Sequence, residues 1–212
     1  MMENNNNLNQ LNQEQIEKML QTGTTTVGII IKDGVVIATD SQATGGTIVW
    51  SKQAKKLFEI NKYTAATIAG GVADCQYVVN QLKALSRLKE VEEGMAPEPK
   101  YIASICRNIL FSGRSYFVSL MIVGGYSLTE KVGKLYGIDL LGTLYEEDSY
   151  LSFGSGSPFS LGVLEADWKP NMTKAKGIEL LKTALTSSRE RDSGSGYDLQ
   201  ICTIDKNGFK QV

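Results

Sequence analysis

In the run Gly23-Thr24-Thr25-Thr26, one cleavage would turn an ordinary threonine into a self-sufficient nucleophile. Cutting after Gly23 would release the α-amine of Thr24 beside its own hydroxyl. An α-amine has an unperturbed pKa of about 7.7–8.0, so part of it is neutral near pH 7 and can take a proton. Threonine at a free N-terminus can therefore supply both nucleophile and base. The sequence contains no histidine. That removes the Ser-His-Asp triad, the Cys-His dyad and every His-ligated metal site. A hydrolase built on this chain must find its base elsewhere. The same threonines also suit a plain loop entering a strand, because threonine favours β structure. Gly23 permits backbone conformations that other residues resist, which suits a processing site.

Two charged residues could support such a threonine. Lys56 lies in Lys55-Lys56-Leu57-Phe58, and Asp40 closes Ala38-Thr39-Asp40-Ser41. On a surface, Lys56 would be one of a solvated basic patch and Asp40 a turn residue. Buried near an amine, the lysine charge would lower the pKa of its neighbours, and Asp40 would hold that charge in place. Three glycine clusters remain. Ala69-Gly70-Gly71 ends a β-like stretch and could turn a backbone N–H toward an oxyanion. Gly154-Ser155-Gly156-Ser157 lacks the lysine of a phosphate-binding loop. Arg191-Asp192-Ser193-Gly194-Ser195-Gly196 falls between a helix-like and a strand-like segment. Each of the three alone is also a simple turn.

Composition narrows the class. With 212 residues and 42% hydrophobic content, the chain suits one globular domain with a real core. Its net charge of -1 gives no reason to expect a nucleic-acid or membrane-surface partner. No apolar run reaches membrane-spanning length. The N-terminus has no basic stretch followed by an apolar one, so it does not read as a secretory signal, and the cytosol is the expected compartment. Cys75, Cys106 and Cys202 are scattered and odd in number. They are expected as small buried hydrophobes, without a disulfide, metal or cofactor.

The elements that must position these residues follow a clear order. Residues 1–23 are a polar Asn/Gln-rich appendage with a short helical patch over 14–20 that includes Ile16, Met19 and Leu20. Val27–Ile31 and Val35–Ala38 are β-branched runs around Asp33-Gly34, which predicts a type I′ hairpin. Strand character returns at 65–68, 117–123, 134–139 and 199–204, and a turn is expected at 205–208. Helical spacing places Val78, Leu82, Leu85 and Leu88 on one face and Ile102, Ile105, Ile109 and Leu110 on another. Ser157-Pro158 opens a third helix, and 171–188 is a fourth with Ile178, Leu181 and Leu185 in phase. Strands, helices, strands, helices and a strand favour α+β: two packed antiparallel sheets with helices on each outer side.

Taken together, these segments resemble the proteasome β-subunit family of N-terminal-nucleophile hydrolases, and the archaeal type above all. The similarity runs from Thr24 to the C-terminus. It is carried by Gly-Thr-Thr-Thr-Val-Gly, Ala-Thr-Asp-Ser, Lys-Lys-Leu-Phe, Thr-Ile-Ala-Gly-Gly, Gly-Ser-Gly-Ser-Pro-Phe, Gly-Val-Leu-Glu at 162–165 and Arg-Asp-Ser-Gly-Ser-Gly. The resemblance implies a four-layer αββα sandwich. It implies that Thr24 is the nucleophile and its amine the base, with Lys56 and its partner Asp40, and with Ser155, Asp192 and Ser195 as supports. Gly70 would supply the oxyanion-hole N–H. Ala43, Thr44, Ile68 and Val72 would line an apolar substrate pocket. Residues 1–23 would be a propeptide removed by self-cleavage between Gly23 and Thr24, leaving 24–212 as the mature domain.

The partners implied are α subunits and other β subunits in stacked rings, an unfolding AAA+ ATPase acting through the α ring, and unfolded polypeptides as substrates. Two other classes share these features. A non-catalytic ring component would lack the nucleophile or keep its propeptide, whereas every catalytic position is filled here. The peptidase of a simpler bacterial ATP-dependent protease has similar Thr-Thr and Gln-Ala-Thr segments. The two Ser-Gly-rich runs favour the proteasome.

Overall fold

The computed structural model describes residues 23–212. The helical patch expected at 14–20 lies outside them. The described chain begins with β1 (Thr26–Ile31), β2 (Gly34–Asp40), β3 (Ala43–Gly45), β4 (Ile48–Ser51), β5 (Leu57–Asn61) and β6 (Thr64–Gly70). Helices α1 (Val72–Glu93) and α2 (Pro99–Ser112) follow, then β7 (Ser119–Ser127), β8 (Val132–Ile138), β9 (Leu144–Glu147) and β10 (Tyr150–Phe153). Helices α3 (Ser157–Asp167) and α4 (Lys174–Arg191) and strands β11 (Leu199–Asp205) and β12 (Gly208–Gln211) complete it.

Two five-stranded sheets form, in the orders β10-β1-β2-β11-β12 and β5-β6-β7-β8-β9, with β3 and β4 as a separate hairpin. Every pairing is antiparallel. The side-chain period of two explains the packing. In β2, Val35 and Ile37 join the cluster between the sheets, with Ile122, Leu135 and Ile204. Val36 and Ala38, on the opposite face, meet Leu164 of α3 and Leu181 and Leu185 of α4. In β7, Ile122 faces the other sheet, while Met121 and Val123 meet Leu82 of α1 and Ile102 and Leu110 of α2. The result is the four-layer αββα sandwich the sequence pointed to. In β2 and β7, residues 35–38 and 120–123 read as unbroken apolar runs because both of their faces are covered.

Glycines let the two sheets approach closely. A Cβ on Gly124 would stand 2.8 Å from Ile37 Cγ2, and one on Gly28 would stand 2.7 Å from Leu135 Cδ1. The helices have readable limits. Pro99 opens α2, Thr173 caps α4 by accepting from the Lys176 N–H, and Gly94 ends α1 with φ 72°. Helix α4 therefore starts at Lys174 rather than Asn171. All three cysteines are free and buried, and burial pushes the Cys75 thiol up to about 12.

Ile31 pairs with Gly34, so the first hairpin turns on Lys32-Asp33, and neither residue has a positive φ. The turn is not type I′. Gly34 is needed for space, since a Cβ there would lie 2.0 Å from the Ile204 carbonyl oxygen. On α1 the apolar stripe is not buried throughout: Leu82 is fully buried, whereas Leu88 is 56% exposed. Leu82→Ala should therefore cost about 2–5 kcal/mol, and Leu88→Ala less than about 0.5 kcal/mol, in denaturant unfolding of the purified chain. Equal losses would contradict this division of the stripe.

Candidate active site

Thr24 lies two residues before the start of β1 and is 3% exposed. Strand pairing decides who meets it. Thr26 stands opposite Thr39, so Asp40, the last residue of β2, falls beside Thr25. The Thr25 N–H donates to Asp40 Oδ1 at 3.0 Å, and the Asp40 N–H donates to the Thr25 carbonyl at 3.3 Å. Lys56 comes from the other sheet, just ahead of β5. Its backbone is fixed twice. Its carbonyl accepts from the Ile68 N–H at 3.1 Å, and its N–H donates to Gln200 Oε1 of β11 at 3.0 Å. Gln200 also accepts from the Leu57 N–H at 3.1 Å, so one amide side chain ties the second sheet to the first.

From this anchored backbone, Lys56 Nζ reaches 3.0 Å from Asp40 Oδ1 and 3.0 Å from Thr24 Oγ1. The lysine is 5% exposed and Asp40 is 1% exposed. Burial pulls the Lys56 ammonium below the ordinary lysine value, while Asp40 opposes that by favouring the charged form. Asp40 is itself held by the Gln42 N–H at 2.9 Å and the Gly196 N–H at 3.0 Å, both onto Oδ2. A carboxylate that accepts this many donors is locked in one orientation. The Thr24 hydroxyl thus accepts from a buried cation and donates to the Gly23 carbonyl oxygen at 2.5 Å.

A second group serves the nitrogen of Thr24. The Thr24 N–H donates to Ser155 Oγ at 3.2 Å, and Ser155 Oγ donates to Asp192 Oδ2 at 2.6 Å. Ser195 Oγ donates to the same Oδ2 at 2.6 Å. The loops carrying these residues follow β10 and α4. Gly154 has φ 98°, and a Cβ there would lie 2.1 Å from the Thr24 carbonyl oxygen. The loop can close on Thr24 only with glycine at that position.

The cleft beside Thr24 is lined by Ala43, Thr44, Ile68, Gly70, Val72 and Lys56, among others. Gly70 has φ 118°, a conformation open to glycine, and a Cβ there would lie 2.3 Å from the Val118 carbonyl oxygen. Every residue singled out in the sequence therefore converges on one place. Two polar side chains in it were missed. Gln42 is buried and donates through Nε2 to Thr44 Oγ1 and to the Ser193 carbonyl, both at 2.8 Å. Thr25 Oγ1 lies 2.6 Å from Ser195 Oγ. Nothing in the local sequence separates either from a turn or strand-entry residue. Among the described residues, no group of His, Cys, Asp and Glu side chains could hold a metal ion.

The family profile described as proteasome subunit matches residues 20–204. The chain belongs to the proteasome subunit family. A proteasome subunit beta from Methanocaldococcus vulcanius is 43% identical over 189 residues, covering 89% of this chain and 84% of the relative. The one from Methanococcus aeolicus is 42% identical over 200 residues, covering 94% and 91%. That from Methanocaldococcus jannaschii is 43% identical over 189 residues, covering 89% and 84%. The similarity is thus to archaeal-type proteasome β subunits, and it spans both charged halves of the site. No described helix is long and apolar enough to cross a membrane.

The Lys56–Asp40 pair has a consequence for stability. Removing the carboxylate would leave a buried ammonium uncompensated and turn an amide N–H₂ toward other donors. Asp40→Asn should destabilise the chain by about 3–5 kcal/mol in denaturant unfolding. Asp40→Asn with Lys56→Met should recover part of that loss, since no unpaired charge remains. A double variant as unstable as the sum of the single losses would contradict the pairing.

Proposed function

We propose that this proteasome-family chain is the precursor of a threonine endopeptidase, with Thr24 as nucleophile and residues 1–23 as a propeptide. The observation that carries this reading is the Thr24 hydroxyl held between Lys56 Nζ at 3.0 Å and the Gly23 carbonyl oxygen at 2.5 Å. Self-cleavage begins at the Thr24 hydroxyl. Thr24 Oγ1 attacks the Gly23 carbonyl carbon, the Gly23–Thr24 C–N bond breaks, and the hydroxyl proton ends on the released nitrogen. The product is an ester through Oγ1 and a free α-amine. Water then hydrolyses the ester and releases the propeptide.

The same atoms then serve substrates. The amine takes the Thr24 hydroxyl proton, Oγ1 attacks the scissile carbonyl, and the proton passes to the leaving amine. Water, deprotonated by the same amine, clears the acyl group. Lys56 keeps positive charge beside the hydroxyl, which favours the alkoxide as it forms. Ser155 and Asp192 hold the amine in place, and the Gly70 N–H is the assigned oxyanion donor. The apolar lining at Ala43, Ile68 and Val72, with Thr44 at its rim, favours cleavage after hydrophobic residues. None of these side chains offers a carboxylate to pair with a basic substrate residue, and an unpaired charge is costly to bury.

Enclosure completes the reading. An exposed nucleophile of this kind would attack proteins indiscriminately in the cytosol, the compartment proposed here. The proposed assembly is β rings docked against rings of α subunits, with an unfolding ATPase delivering polypeptide into the chamber. Maturation would wait for ring docking.

Co-expression with α subunits, followed by intact-mass analysis and peptidase assay, tests the reading. The expected mature chain begins at Thr24. Thr24→Ala should assemble, keep residues 1–23 and hydrolyse nothing. An active Thr24→Ala particle would refute the nucleophile assignment. Lys56→Ala should lower turnover on the order of 10²–10³-fold, and near-normal turnover would remove its role. Among fluorogenic peptides differing only before the cut, apolar residues should be preferred over Lys or Arg.

A further inference from the structure

Asp192 fixes the direction of every hydrogen bond around the Thr24 nitrogen. A carboxylate only accepts, and each serine has one hydroxyl proton to give. Ser155 Oγ and Ser195 Oγ both donate to Asp192 Oδ2, each at 2.6 Å. Their protons are then committed. Ser155 must be the acceptor for the Thr24 N–H at 3.2 Å, and its 3.4 Å approach to the Thr24 carbonyl carries no proton. Ser195 must likewise be the acceptor toward Thr25 Oγ1 at 2.6 Å, so Thr25 is the donor. The hydroxyl of Thr25 is thus the outer end of a polarised chain that runs through Ser195 and Asp192 to Ser155 and the Thr24 nitrogen.

The rest of Thr25 is committed on the other side. Its N–H donates to Asp40 Oδ1 at 3.0 Å, on the oxygen that also holds Lys56 Nζ at 3.0 Å. Its carbonyl accepts from Thr39 Oγ1 at 3.0 Å and from the Asp40 N–H at 3.3 Å. The side chain is fully buried. Its hydroxyl occupies a slot that exists because residue 156 is glycine: a Cβ on Gly156 would come 2.0 Å from Thr25 Oγ1. The slot leaves the hydroxyl one place to be.

We infer that Thr25 is a positioning residue. It locks the lysine-bearing half that tunes the Thr24 hydroxyl to the serine–aspartate half that holds the Thr24 nitrogen. This rests on the reading of Thr24 as nucleophile. Gly196 and Gln42 also bridge the two halves, but farther from the reacting atoms. Thr25 is bonded directly to Thr24, so a change in its seating moves the reacting atoms themselves. Without its hydroxyl, Ser195 loses its donor, and the Thr24 amine is less sharply aimed while the substrate cleft is untouched.

The test compares Thr25→Val, which keeps the shape but not the hydroxyl, with Thr25→Ser, which keeps the hydroxyl. Both are made in the full chain co-expressed with α subunits. The readouts are propeptide loss by intact mass and kcat and KM on a fluorogenic peptide. Thr25→Val should lower kcat about tenfold and slow propeptide loss, with KM within about twofold, as expected when one ordering hydrogen bond is lost. Thr25→Ser should stay within about threefold of the parent. A Thr25→Val particle equal to the parent would overturn the inference, as would a Thr25→Ser particle as impaired as Thr25→Val. Should Thr25→Val not assemble, Thr25→Ala, which has no bulk to clash, takes its place. Failure of both to assemble would assign the hydroxyl to folding and overturn a positioning role. An inert parent particle would instead sink the reading of Thr24, and this inference with it.

Discussion

The groups around Thr24 are arranged about one buried lysine ammonium and the single carboxylate bonded to it. Lys56 Nζ has Asp40 Oδ1 at 3.0 Å and little access to water. An ammonium in such a place is tolerable only when its partner cannot move away. The fold meets this requirement through backbone geometry. Asp40 ends a central strand, and three N–H groups, those of Thr25, Gln42 and Gly196, point at its oxygens. Lys56 is bound at its own backbone to β6 and to Gln200 of β11. The charge is therefore placed by both sheets at once, and Thr24 Oγ1 is the group left for it to act upon.

The site also explains the pattern of glycines. At Gly154 and Gly70 the backbone adopts φ values of 98° and 118°, and a side chain at either would meet a carbonyl oxygen at 2.1 or 2.3 Å. These positions let loops from different layers close on one threonine. The helices contribute less directly. Packing of α3 and α4 against one sheet and of α1 and α2 against the other fixes where the loop ends emerge. The geometry around Thr24 depends on strand register, because one register step would turn Asp40 away from Thr25.

Much of this was legible in the sequence, for identifiable reasons. Strands β1 and β2 carry β-branched runs, and the amphipathic stripes of α2 and α4 follow helical spacing. Short strands escaped notice. Ile48, Val49 and Trp50 of β4 are exposed, and β9 and β10 are half-buried edge strands with little alternation to mark them. The missing histidine pointed to an amine as base, and the ordered set of motifs assembled the remaining site residues. Spacing alone could not have paired them, since Asp40 and Lys56 are 16 residues apart on different sheets. Thr25 was overlooked for the same reason. Its partner Ser195 lies 170 residues away, and only the folded chain reveals which of three adjacent threonine hydroxyls faces the serine.

In the function proposed above, one residue, Thr24, carries both the reacting oxygen and the base that activates it. Covalent trapping reads this most directly. Assembled particles treated with a peptide β-lactone, an electrophile that acylates a reactive hydroxyl, can be digested and the adduct mapped by tandem mass spectrometry. The expected result is a single acyl group on the oxygen of Thr24, in a peptide whose first residue is Thr24 with a free amine, and loss of activity in step with labelling. Labelling of another residue in step with inactivation, or a Thr24 adduct in chains that still carry Gly23, would contradict it.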